Sequence, residues 1–200
     1  MNVCIAWIAG ITLSCVGCAA AIVPYDEVGE SGNPSVMGRV VAVIVGESSR
    51  IYEPEVRSFE LEEQHSHERF IVQVQSDDRP FAITLRPGDY RLIRVQINEG
   101  PFMSMAEINA SFSVNQESLT YVGTWRFGVD IPKYGRMLSL SMVMDATDRA
   151  QVEAMIAKQY PLLEGIPLVS VLPDPPTLET RLYEVMPYPR YPSYFRRHNW

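Results

Sequence analysis

The stretch Phe81-Ala82-Ile83-Thr84-Leu85-Arg86-Pro87-Gly88-Asp89-Tyr90-Arg91-Leu92-Ile93-Arg94-Val95-Gln96-Ile97 decides the fold class. Phe81, Ile83 and Leu85 alternate with Ala82, Thr84 and Arg86. A period of two places three large apolar side chains on one face of a strand. Pro87-Gly88 reads as a tight turn, because proline presets φ at the second turn position and glycine accepts a positive φ at the third. Tyr90 to Ile97 then returns as a second strand. A lone hairpin is not stable in water, so further strands must cover its apolar face.

Those strands are legible on both sides. Arg39 to Val45 is a continuous β-branched run that reads as a strand buried on both faces. Residues 47–68 hold seven glutamates and two arginines, with Val56 to Leu61 expected as a charged edge strand and Glu60, Glu62 and Glu63 as its exposed carboxylates. Phe70, Val72 and Val74 alternate in Arg69 to Gln75. Ile108, Ala110, Phe112 and Val114 do the same, as do Leu138, Leu140, Met142 and Met144. Between them Leu119 to Val129 sets Tyr121, Gly123, Trp125 and Phe127 in one row, with Gly123 marking a gap or a bulge. The row reads as core packing in preference to a sugar-stacking platform. One helix follows, with Thr147 or Asp148 as its cap, Val152, Met155, Ile156 and Tyr160 at helical spacing, and Pro161 past its end. Ile166 to Leu172 is a possible edge strand.

The expected fold is therefore mainly β: an antiparallel Greek-key sandwich of about seven strands with one C-terminal helix. No helix intervenes to make the crossovers of a parallel sheet. The expected organisation is a leader at 1–18, a flexible tether at 19–36, the β-sandwich at 37–145, the helix and edge strand at 146–172, and a proline-, aromatic- and arginine-rich tail at 173–200.

The leader sets the compartment. No charged residue occurs from Val3 to Val23, a length that spans a bilayer or serves as a signal peptide. Leu13-Ser14-Cys15-Val16-Gly17-Cys18-Ala19-Ala20 resembles a bacterial lipobox, in which small residues precede a cysteine that is acylated and becomes the mature N-terminus. The resemblance implies lipidation (a palmitate-type acyl anchor) at Cys18, with Cys15 as second choice, and a lipid-anchored protein of the bacterial cell envelope, at the outer membrane facing the periplasm. Cys15-x-x-Cys18 has the letters of a redox motif but lies inside the apolar leader, away from the helix start such chemistry uses. All three cysteines lie in the first eighteen residues, so the folded part holds no disulfide.

With 46% apolar and 20% charged residues, the 200-residue chain has an ordinary globular composition. Its net charge of -7 argues against nucleic acid as a partner. No Gly-x-Ser-x-Gly elbow and no glycine-rich phosphate loop occurs. Carboxylates are plentiful, yet their pattern is that of a solvated face. His65 and His67 are the candidate metal ligands, since residues two apart on a strand share a face, but they adjoin the glutamate-rich segment and read first as a solvated loop. No cofactor is expected, and the chain reads as a non-enzyme.

Phe81-x-x-x-Leu85-x-Pro87-Gly88-x-Tyr90, followed by the strand bearing Tyr121-Val122-Gly123, resembles transthyretin-like (carboxypeptidase-regulatory-like) β-sandwich modules of bacterial lipoproteins, over roughly 37–145. The resemblance implies a noncatalytic module used for attachment. The partner-binding candidates lie in the tail: Tyr188, Arg190, Tyr191, Tyr194, Phe195, Arg196, Arg197 and Trp200, aromatic and cationic groups on a proline-stiffened backbone suited to an envelope protein or a glycan. The expected function is a membrane-anchored structural or interaction module. The alternatives are a small-ligand or glycan-binding module and, third, a metal-dependent hydrolase using His65 and His67.

Overall fold

The computed structural model describes residues 20–22, 35–45, 51–74, 80–130 and 135–185. They form strands β1 (Ala20–Ile22), β2 (Val36–Ile44), β3 (Pro54–Glu63), β4 (Arg69–Gln73), β5 (Pro80–Ile83), β6 (Gly88–Glu99), β7 (Phe102–Val114), β8 (Leu119–Val129) and β9 (Met137–Val143). Helix α1 (Ala146–Gln159), a 3-10 turn at Pro161–Leu163, and strands β10 (Leu168–Ser170) and β11 (Thr177–Val185) follow. The protein is mainly β. The strands join as one curled sheet in the order β1-β4-β3-β6-β7-β11-β9-β8-β2-β5, with β10 added beside β8.

The curl follows from β11. Its first part, Thr177 to Arg181, pairs with β9, and its second, Leu182 to Val185, pairs with β7. Side chains from both halves of the sheet meet in one core. Trp125 of β8 lies 5.1 Å from Phe59 of β3, 5.6 Å from Phe81 of β5 and 6.3 Å from Phe112 of β7, in the tilted ring geometries that aromatic quadrupoles favour. A smaller cluster on the outside of β8 and β2 packs Met37, Tyr121 and Leu119 against Val152, Ile156 and Tyr160 of α1.

Several expectations are corrected. The sheet is mixed: β1–β4, β2–β8 and β10–β8 are parallel pairs. A parallel pair needs a long connection. Here the strands β3 to β7 carry the chain from β2 to β8, doing what the sequence reading reserved for a helix. The Phe81–Ile97 hairpin does not form. Phe81, Ile83 and Leu85 are buried as expected. However, β5 pairs with β2, while β6 pairs with β3 and β7. Alternation specifies which side chains face the core and leaves the partner strand open. The link between β5 and β6 instead crosses between the halves, held where Leu85 N donates to Ser35 Oγ (2.8 Å) and Tyr90 Oη donates to Arg86 O (2.8 Å). The true hairpin is β6–β7, turned at Gly100-Pro101 with Gly100 at φ 57.

Strand β3 is interior, flanked by β4 and β6, rather than an edge. Strand β2 is buried on both faces only near its start. Pairing with β5 stops at Arg39, and Val43, Ile44 and Val45 are each about two-fifths exposed. The tether range contains β1, and the tail range contains β11, whose Leu182 joins the core. Asp145 caps α1, its Oδ1 accepting from Thr147 N (2.8 Å) and Asp148 N (3.2 Å).

Gly123 marks a bulge. Between Tyr121 and Thr124 strand β8 advances three residues while β2 advances two, from Met37 to Arg39. One extra residue flips every later side chain to the other face. Tyr121 therefore faces α1, and Trp125 and Phe127 face the core. Gly123 has φ 78, and a Cβ there would stand 2.6 Å from Val143 O, so the position requires glycine. Trp125 is fully buried, with Nε1 donating to Val122 O (3.0 Å). Trp125→Ala is expected to cost about 3–5 kcal/mol; urea unfolding measures it, and an unchanged midpoint would place the ring outside the core.

Candidate functional site

The acylation candidates Cys18 and Cys15, and the tail residues from Tyr188 to Trp200, lie outside the described residues. The structure places the remaining candidate, His65 with His67, on the turn between β3 and β4 rather than on a strand. Their rings are largely in solvent. His65 Nδ1 lies 3.2 Å from Glu63 Oε1, and His67 Nδ1 lies 3.6 Å from Glu62 Oε1. Among the described residues no group of three His, Cys, Asp or Glu stands close enough to share a metal ion.

The glutamates beside them are not the exposed carboxylates that the sequence suggests. Adjacent strands bring Glu62 opposite Arg69 on one side and Arg91 on the other. Arg91 Nη2 donates to Glu62 Oε1 at 2.6 Å and Arg69 Nε to Oε2 at 3.0 Å, which leaves Glu62 only 4% exposed. Glu60 takes the next rung, 3.2 Å from Arg94 and 3.6 Å from Arg69. Opposite charges on facing positions of neighbouring strands stabilise a sheet and fix its register. Bonding to Arg91 holds the Glu62 carboxyl below its usual range, against the opposing effect of burial. The Glu63 carboxylate lies at the turn. Ser66, whose backbone N–H donates at 2.5 Å, and His65 lower its pKa to about 2.

Two further polar clusters carry no local sequence signal. Arg39 Nη1 donates to Asp148 Oδ1 (2.6 Å), and Thr124 Oγ1 donates to Asp148 Oδ2 (2.6 Å), fastening α1 to β2 and β8. Burial beside this carboxylate pushes the Tyr121 phenol upward. Arg136 is buried against Glu99 and Ser104. In each case the partners are more than twenty residues apart in the chain, and only strand pairing brings them together.

An open cleft of about 370 Å³ lies between α1, the 3-10 turn and β10. Leu119, Ile156, Leu163 and Ile166 line it together with Arg149. The Arg149 guanidinium is committed to Glu153 (2.9 Å), Ser170 Oγ (2.6 Å) and Leu168 O (3.0 Å). Arg149 thus ties α1 to β10 through Ser170 and Leu168. No helix among the described residues is long and apolar enough to cross a membrane. Compared with protein-family profiles, with curated proteins and with solved structures, the chain matches none.

Glu62 and Glu63 titrate lower in the folded chain than in the unfolded one, where the ordinary value is 4.5. Their stabilisation is complete above that value and is lost as pH falls toward about 2, because protons then bind the unfolded chain first. The urea midpoint is expected to fall across this window. Glu62→Gln should reduce the unfolding free energy from urea titration at neutral pH by about 1 kcal/mol, since water screens both guanidiniums, and should flatten the acid limb.

Proposed function

We propose that this chain is a noncatalytic interaction module of the bacterial cell envelope, held to a bilayer by an acyl group on Cys18, with its curled sheet forming a Greek-key sandwich of the transthyretin-like kind. The observation that carries the reading is the charge-free run from Val3 to Val23, whose Cys18 is preceded by Val16-Gly17 and stands two residues ahead of β1. The ion pairs behind it favour the same reading. Glu62 and Asp148 are bonded to arginines of neighbouring strands, an arrangement that stiffens a scaffold. The second reading, a small-ligand module, draws on the apolar cleft beside α1. The contact surface for an envelope protein or a glycan is assigned to the tail from Tyr188 to Trp200, outside the described residues.

Growth with radioactive fatty acid tests the anchor. The chain is expected to take up label and Cys18→Ala to lose it; label retained by Cys18→Ala moves acylation to Cys15, and an unlabelled wild-type chain ends the reading. A chain ending at Val185 tests the tail. It keeps β11 entire, so its melting transition should be unchanged while its binding to envelope fractions drops. Undiminished binding would remove the tail from the contact surface.

A further inference from the structure

Strand registers place several distant segments at one end of the molecule. Ala20 of β1 pairs with Phe70, the second residue of β4, just past the turn that carries His65 and His67. Gln64 N in that turn donates to Asp89 O (2.8 Å), and Gly88 at the start of β6 pairs with Val114 at the end of β7. The chain then passes through residues 115–118 to Leu119, the first residue of β8. Leu119 N donates to Pro167 O (3.0 Å), and Thr120 N donates to Ser35 O (2.8 Å). The connection from α1 through the 3-10 turn to β10 therefore lies at the same end as the start of β1. At this connection Leu162 is 83% exposed and Ile166 is 40% exposed.

We propose that this end rests on the bilayer that holds the leader, with Leu162 and Ile166 entering its interfacial layer. The proposal depends on acylation at Cys18. From Cys18 to Ala20 the chain spans two residues, at most about 7 Å when extended. A bilayer gripping the acyl group is thus within reach of the end where β1 begins. Tethering at that distance supplies a high effective concentration, so two apolar side chains suffice to hold the contact. Glu68, Glu117 and Glu164 are exposed on the same end and anionic lipid would repel them, so the surface that this end suits is zwitterionic. The opposite end carries its own exposed apolar groups, Ile51 (88%) and Phe102 (48%), and points away from the lipid.

The test places an environment-sensitive thiol dye (NBD) at Leu162→Cys in the full acylated chain, floated on phosphatidylcholine vesicles, with Ile51→Cys as the control. The dye at 162 is expected to shift to the blue and brighten severalfold on vesicles, while the dye at 51 stays as in buffer. A floated chain whose dye at 162 remains in water, or brightens at 51 instead, overturns the proposal and leaves the anchor standing. A wild-type chain that takes up the dye and fails to float shows an unacylated Cys18, and removes both. Leu162 is exposed, so the variant should keep the wild-type melting temperature.

Discussion

The structure depends on a change of partner within β11. Between Arg181 and Leu182 the strand leaves β9 and takes up β7, so one strand belongs to both halves of the sheet. The backbone at this point is held from the side: Leu182 N donates to Arg136 O (3.0 Å), while the Arg136 guanidinium reaches back to Glu99 and Ser104. Burying that ion pair carries a desolvation cost that a hydrophobic replacement would avoid, yet losing either partner would leave a buried charge alone. The pair therefore specifies where the sheet turns more than it adds to stability. With the sheet turned there, the aromatic residues Phe59, Phe81, Phe112 and Trp125 of β3, β5, β7 and β8 meet in one cluster.

The same logic governs α1. Its apolar side is narrow, with Val152, Ile156 and Tyr160 meeting Tyr121 and Leu119. A helix of this length is marginal without tertiary support. Polar support is added by Asp148, which binds an arginine on β2 and a threonine on β8, and by Arg149, which bonds Ser170 and Leu168. Thr124 is aimed at the helix because the Gly123 bulge shifts the register of β8 by one residue, while Arg39 shares the outward side of β2 with Met37 by simple alternation. A backbone irregularity that looks like a defect in the strand is what gives the helix a place to dock.

The two ends of the molecule differ in chemistry. Toward one end the β3 carboxylates Glu60 and Glu62 are paired with Arg69 of β4 and with Arg91 and Arg94 of β6, while Glu68, Glu117 and Glu164 on the turns of that end are exposed. Strand β1 begins at that end, beside the start of β4. The far end exposes apolar side chains around the β6–β7 turn, where Tyr52 packs on Gly100.

The sequence alone determined the β class, the position of the single helix, and which side chains enter the core in most strands, because alternation is a local property of a strand meeting one apolar face. Phe81, Ile83, Ala110, Phe112, Leu138 and Leu140 are all buried on the side their spacing indicates. Tertiary structure decided which strand lies beside which, that some pairs run parallel, and that Thr177 to Val185 completes the sheet instead of trailing from it. It also decided that Glu62 is buried between two arginines rather than solvated. Those outcomes rest on hydrogen bonds and charges between residues far apart in the chain. No local pattern encodes them, because backbone donors and acceptors are alike in every strand.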